Sequence, residues 1–293
     1  MSTPTNRRRG QSEEPSTYFV QNRLNKEELT RLTIQEQFIT RGMGGVLPEQ
    51  PNPASLRRVL DVACGPGGWL IEAAQTYPTI ALLVGMDVSS KMVEYGRAQV
   101  AAQKLEDRVQ FATMDALKTL EFAPSYFDLV NQRLGWSFLR TWDWSNLLFE
   151  YRRITRGGGV IRISEGDAVG ESNSPTLTRL FAIWQDAFYE AGHLFNQERT
   201  GVTNQLERLL QRAGLQDVQT RAYTLEYRGG TFDGERFYEN IKLILQTALP
   251  FMRKWSRVPE NYEQLVQQAL SEMQQPDFLA TWGMFTAWGT NQE

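Results

Sequence analysis

Apolar and polar positions along this chain change rhythm in a regular order. Short apolar runs of strand character alternate with longer stretches in which apolar residues recur at helical spacing. The first run is Arg58-Val59-Leu60-Asp61-Val62 and the second Ala81-Leu82-Leu83-Val84-Gly85-Met86. The third is Val109-Gln110-Phe111-Ala112-Thr113 and the fourth Phe127-Asp128-Leu129-Val130-Asn131. A fifth, Gly159-Val160-Ile161-Arg162-Ile163-Ser164-Glu165, follows a Gly157-Gly158-Gly159 turn. Alternation of this kind predicts an α/β fold, with a parallel sheet covered on both faces. After Thr203 a helical pattern runs through Leu206, Leu209, Leu210 and Ala213 and stops at Gly214. A long strand is expected from about Val218 to Tyr227, and a last one from Thr281 to Trp288.

Three segments stand outside that alternation. Tyr18 to Leu47 holds a polar-rich helical stretch around Lys26 to Arg41 and leads into a glycine- and proline-rich linker. In Gly166 to Thr200, Pro175 opens a helical pattern that puts Leu177, Leu180, Phe181, Trp184 and Phe188 on one face. Gly229 to Asp277 holds two helical patterns, Phe237 to Ala248 and Tyr262 to Met273. The second segment leaves a parallel strand, and the third joins a strand ending at the same face to an antiparallel one. Both are therefore expected over the carboxyl ends of the strands, forming a mainly helical lid with the first. The expected divisions are a tail at 1–16, a helical cap at 17–57 and a core at 58–165. A lid insertion at 166–201, core again at 202–228, a second lid insertion at 229–277 and a last core strand at 278–293 complete the chain.

The polar residues of interest fall at the carboxyl ends of strands, where open α/β sheets bind ligands. Asp61-Val62-Ala63-Cys64-Gly65-Pro66-Gly67-Gly68-Trp69 reads as a strand, a tight glycine turn and a helix. Such a turn lets a ligand lie against bare backbone. The dinucleotide fingerprint wants a third glycine where Leu70 stands, and Pro66 removes an N–H that a pyrophosphate would need. A triphosphate-binding loop would end in Gly-Lys-Ser/Thr, and this one ends in Gly-Trp-Leu. A nucleoside without phosphates, or no ligand at all, stays open on the loop alone. Asp87 closes the second run, 26 residues after Asp61, and a carboxylate there can accept from both hydroxyls of a ribose. The third run leads to Met114-Asp115-Ala116.

These motifs, in this order, resemble those of the class I S-adenosylmethionine-dependent methyltransferases, from about Tyr18 to the C-terminus. The resemblance implies a Rossmann-like seven-stranded, mostly parallel sheet with an antiparallel edge strand. S-adenosyl-L-methionine is then the cofactor. Asp87 would hold the ribose, Asp115 the adenine amino group and the Ala116 backbone the ring, with Met114 beside them. Val88 and Met92 would pack on the adenine face. The loop through Ala63, Cys64, Gly65 and Gly67, with Asp61 before it, would lie along the methionine part. Asn131 falls in the family's fourth motif, beside the methyl donor. Tyr18 is expected over the cofactor, and Arg133 and Trp136 are expected to touch substrate or cofactor.

Methyl transfer asks for an in-line nucleophile in a dry pocket, and for a base only when the acceptor is protonated. His193, the single histidine, is the candidate base, with Glu165 behind it. Asn131-Gln132-Arg133-Leu134 stands where amino-methylating enzymes carry Asn/Asp-Pro-Pro-Tyr, and there is no Pro-Cys nucleophile. A small organic acceptor, a metabolite or natural-product intermediate, is therefore expected. The alternatives are a cofactor-retaining cyclase, a protein or RNA methyltransferase, and a non-catalytic subunit.

Composition narrows the rest. The chain of 293 residues carries a net charge of −3, so no field draws it to nucleic acid, and Arg7-Arg8-Arg9 sits in a polar stretch without the apolar run of an export signal. No run of about 18 apolar residues suggests a membrane span, so a cytoplasmic enzyme is expected. One cysteine, Cys64, and one histidine leave no metal site to expect.

Overall fold

The computed structural model describes residues 17–20 and 26–292; the expected tail lies outside them. Helix α1 (Lys26–Gly42) comes first, then five parallel strands: β1 (Arg58–Val62), β2 (Leu82–Asp87), β3 (Val109–Thr113), β4 (Phe127–Arg133) and β5 (Thr155–Gly166). Helices α2 (Gly68–Thr76), α3 (Ser90–Ala102) and α4 (Trp144–Ile154) fill the connections after β1, β2 and β4. The strands lie in the order β3-β2-β1-β4-β5.

Alternation along the strands explains why both faces are covered. Val59, Leu83 and Leu129 join α2 and α3 in one apolar cluster, with Trp69, Leu70 and Val93. Their neighbours Leu60, Val84 and Val130 point the other way, into a cluster with Leu147, Leu148 and Tyr151 of α4. With period-two side chains buried on both sides, the strands read as continuous apolar runs.

Beyond β5 the sheet departs from expectation in detail. β6 (Glu171–Ser172) pairs with Thr281 and Ala280 and carries the β5 edge two residues further. It is followed by α5 (Pro175–Glu190), α6 (Leu206–Arg212) and β7 (Gln216–Arg228). The antiparallel strand, β8, is not at the edge. It runs Leu279–Thr290 between β5 and β7 and pairs antiparallel with both. The sheet therefore has seven long strands and one short one. The triple glycine is not a turn before the strand but an irregularity within it. Pairing jumps from Phe127 with Thr155 to Leu129 with Val160, and Gly158 takes a φ of +72°.

Between β7 and β8 lie three helices rather than two: α7 (Phe232–Thr247), α8 (Leu249–Trp255) and α9 (Tyr262–Met273). Pro250 makes the extra break, since it lacks an N–H and fits only a first helical turn. α1 packs on α7, and α5 packs on α8 and α9, so the helices outside the alternating core contact one another. Among the described residues no helix is long and apolar enough to cross a membrane.

Ser174 caps α5, its Oγ accepting from the Leu177 N–H at 3.0 Å and donating to Glu272 of α9 at 2.5 Å. Ser174→Ala removes both bonds. It is expected to cost about 1–2 kcal/mol of unfolding free energy in a urea titration, where a change under a few tenths would contradict the capping role.

Candidate functional site

One cavity of ≈ 270 Å³ opens at the carboxyl ends of β1 to β5 and is roofed by α1, α5 and α7. Its floor begins with the loop after β1. Ala63, Gly65 and Gly67 take φ values of +53°, +53° and +81°, a left-handed run that turns the chain sharply under the start of α2. The Cys64 N–H donates to the Met86 carbonyl at 2.9 Å and the Gly65 N–H to Asp87 Oδ2 at 3.0 Å. Asp87 Oδ1 accepts from the Ser89 N–H at 2.9 Å. The Asp87 carboxylate thus ties two strand ends together and still lines the cavity.

Around that loop the structure gathers most of the residues singled out above. Ala63, Cys64 and Gly65 line the cavity, as do Val88 and Met92 on the far side of Asp87. Met114, Asp115 and Ala116 line it after β3, with Asp115 Oδ1 accepting from the Leu117 N–H at 3.0 Å. Gly67 does not line it. A Cβ there would overlap the Phe111 ring, so glycine is required by packing beneath the loop and by the positive φ.

Asp61 is buried beside this loop with its Oδ1 accepting from Asn131 Nδ2 at 2.7 Å. Burial pushes its carboxyl up to about 7, against the pull of Arg133 and the Asn131 bond. Asn131 itself is fully buried behind Asp61, outside the cavity wall. It links Asp61 to Arg162, whose Nη1 donates to Asn131 Oδ1 at 2.7 Å and whose Nε pairs with Glu49 at 2.5 Å. Asn131 therefore orients a site residue and does not face the cavity.

Arg133 lines the cavity and holds Glu36 and Thr40 of α1, the latter at 3.1 Å. Its Nε is buried with no hydrogen-bond partner, as is Ser89 Oγ. Tyr18 and Trp136 also line the cavity. Tyr18 Oη donates to Glu28 at 2.6 Å and accepts from Arg31 at 3.0 Å.

The two candidate bases are placed elsewhere. His193 is fully buried behind the cavity, against Phe188 and Phe251 at ring separations of 5.1 and 5.8 Å, with Nδ1 bonded to the Trp136 carbonyl at 2.7 Å. Burial and then Arg140 push it down to about 3. It packs against the loop that carries Trp136 and does not line the cavity, where a base was expected. Glu165 is likewise buried outside the cavity, pushed up to about 8 by burial. It accepts from the N–H groups of Gly135 at 2.8 Å and Trp136 at 3.2 Å and from Gln132 at 3.1 Å, so it shapes the turn after β4.

The polar residues of α1 and α7 were not anticipated. Glu28, Arg31, Gln35 and Glu36 come from α1 and Asn240 from α7; all but Glu28 line the cavity. Their signal was a polar stripe at 28, 31 and 35, three and four residues apart, running beside the apolar stripe of Ile34 and Phe38.

Residues 59–159 match a family described as methyltransferase domain. A demethylmenaquinone methyltransferase of Lactiplantibacillus plantarum is 27% identical over 186 residues, which span 58% of this chain and 75% of that protein. Its counterpart from Symbiobacterium thermophilum is 35% identical over 102 residues, 34% of this chain and 39% of its own. Among solved structures, the 4+2 cyclase SpnF is 15% identical, covers 96% of this chain and 100% of its own, and has a TM-score of 0.50, a likeness of fold.

Asp61 gives a pH test. Its carboxyl lies higher in the folded chain than in the unfolded one, where about 3.9 is ordinary. Its contribution to stability is therefore complete below that value and is lost as the pH rises through about 7. Asp61→Asn keeps the acceptor for Asn131 without the charge. In thermal melts of the unliganded protein, the wild type is expected to fall behind this variant between pH 5 and 8; parallel profiles would contradict the burial argument.

Proposed function

Since this chain belongs to the class I S-adenosylmethionine-dependent methyltransferases, we propose that its cavity brings the cofactor and a small organic acceptor together along one wall. The observation that carries this reading is the division of the cavity into two chemically different halves. One half has the glycine loop, Asp61, Asp87 and Asp115, and the other is walled by Phe181, Trp184, Trp282, Ile241 and Leu245.

In the first half we assign Asp87 to the ribose hydroxyls. Its carboxylate accepts from the backbone N–H groups of Gly65 and Ser89, which fixes its orientation at the cavity wall. We assign Asp115 to the adenine amino group, with Val88 and Met92 for apolar contact with the ring. Ala63 to Gly65 present main chain to the methionine part. We assign Asp61 to the ammonium and Arg133 to the carboxylate, an exchange that would draw Arg133 from Glu36.

Bound there, the cofactor supplies a methyl group on a positively charged sulfur, already a strong electrophile. The chain has to orient the acceptor in line and keep water out. The aromatic and aliphatic wall does both, and the apolar surroundings favour loss of charge from sulfur. His193 and Glu165 do not reach the cavity, so this reading uses neither as a base. An acceptor already nucleophilic at neutral pH suits the site best, and a natural-product intermediate or apolar metabolite fits the wall. The relatives named for demethylmenaquinone methylation are consistent with an apolar acceptor.

The test is a transfer assay with methyl-labelled cofactor over a panel of apolar metabolites, read by mass spectrometry. Label appearing on an acceptor supports the proposal. Conversion of an acceptor with the label retained on sulfur would support a cyclase instead. Asp87→Ala is expected to weaken cofactor binding by about 1.5–3 kcal/mol in titration calorimetry, the usual cost of losing charge-assisted bonds. Unchanged affinity would remove Asp87 from the site.

A further inference from the structure

We infer that the acceptor half of the cavity is built to hold an uncharged, mainly apolar ring compound by one oxygen atom, and that Asn240 and Gln35 supply the N–H donors that fix it. The inference rests on the methyltransferase reading and names the substrate class.

Phe181, Trp184, Ile241, Leu245 and Trp282 make the walls of this half largely apolar, and α1 and α7 bring a polar corner to them. There Arg31 and Gln35 of α1 meet Asn240 of α7, 209 residues from Arg31 along the chain. Arg31 is almost fully buried and forms a two-point pair with Glu28, which is fully buried: Nε to Oε2 and Nη2 to Oε1, both 2.8 Å. A guanidinium has donors only. Its remaining N–H groups go to Tyr18 Oη at 3.0 Å, to Asn240 Oδ1 at 3.3 Å and to Gln35 Oε1.

This arrangement sets the direction of both amides. Each must turn its carbonyl toward Arg31, so each turns its NH₂ group away. Asn240 is 5% exposed and lines the cavity, yet its Nδ2 donates to nothing. Neither is that atom among the fully enclosed unpaired ones, so what surface it has faces the cavity. Gln35 Nε2 makes no hydrogen bond either, and Gln35 lines the same cavity. Two cavity-lining amide donors without acceptors, Asn240 buried and Gln35 half-buried, call for a ligand oxygen.

Charge decides which oxygen. Glu28 cancels Arg31, so the corner presents dipoles and no net charge. A carboxylate or phosphate entering here would lose its water without gaining a counterion. A carbonyl or phenol-type oxygen on an apolar ring loses little and gains two donors. Asp61, Asp87 and Asp115 stand at the ends of β1 to β3 instead, and Glu36 is already paired with Arg133.

The test uses the full chain saturated with S-adenosylhomocysteine and two ring compounds of one shape, 1-tetralone and tetralin. Binding is read by quenching of tryptophan fluorescence, since Trp136, Trp184 and Trp282 line the cavity. Asn240→Asp keeps Oδ1 for Arg31 and replaces the donor by an acceptor; Gln35→Glu does the same from the other helix. The wild type is expected to prefer the ketone. Each variant should lower ketone affinity by about tenfold, the usual scale for a lost buried hydrogen bond, and leave tetralin within about twofold. Equal loss for both compounds, no loss for either, or no ketone preference in the wild type would overturn the inference while leaving the cofactor reading intact. Failure of the wild type to bind S-adenosylhomocysteine would overturn both.

Discussion

The N–H of Gly65 points at the carboxylate of Asp87, 3.0 Å away, and this bond holds the ligand end of the sheet in shape. It joins the loop after β1 to the tip of β2, and the same carboxylate then starts α3 through the Ser89 N–H. With Asp87 so placed, the left-handed turn from Ala63 to Gly67 stays clear of the strand ends and leaves bare backbone along one side of a cavity. Gly67 makes the turn possible from below, because Phe111 occupies the space a side chain would need. An acid tethered in this way, and proposed as a ligand group, gives the cavity wall its shape before any ligand arrives.

A second constraint comes from the helices above. Arg31 and Glu28 form a buried ion pair inside the roof, an arrangement whose desolvation cost is offset only when nearly every donor finds a partner. The partners come from residues 18, 28, 35 and 240, so α1 and α7 must meet for the network to close. Packing and polar satisfaction thus agree on one arrangement of the roof, and the cavity between roof and loop takes its chemistry from both. Arg133, reaching from the end of β4 to Glu36 and Thr40, ties the two layers together.

The alternation of strands and helices was legible in the chain because it is local. β1, β2 and β4 are buried on both faces and so read as largely apolar runs, while the edge strand β3 alternates, and the acids of interest stand at or just after strand ends. The position of β8 inside the sheet was not legible, since strand order is set by contacts far apart in sequence. Pro250 marked a break that the apolar pattern on either side of it concealed. Gly67, Asn131 and His193 show the limit at the site itself. Each has the type and place of a ligand-binding residue, yet Gly67 serves Phe111, Asn131 serves Asp61, and His193 serves the Trp136 carbonyl. The polar stripe on α1 was visible but ambiguous, because a solvated face and a buried network share the same spacing until the partner helix is known.

If the bend between β1 and α2 cradles the cofactor, bound cofactor must shield it. Amide hydrogen exchange, followed by mass spectrometry with and without S-adenosylhomocysteine, tests this directly. Peptides covering residues 63–67 and 87–89 are expected to exchange more slowly in the complex than any other part of the sheet. Binding that slows exchange only elsewhere, with these two segments unchanged, would contradict it.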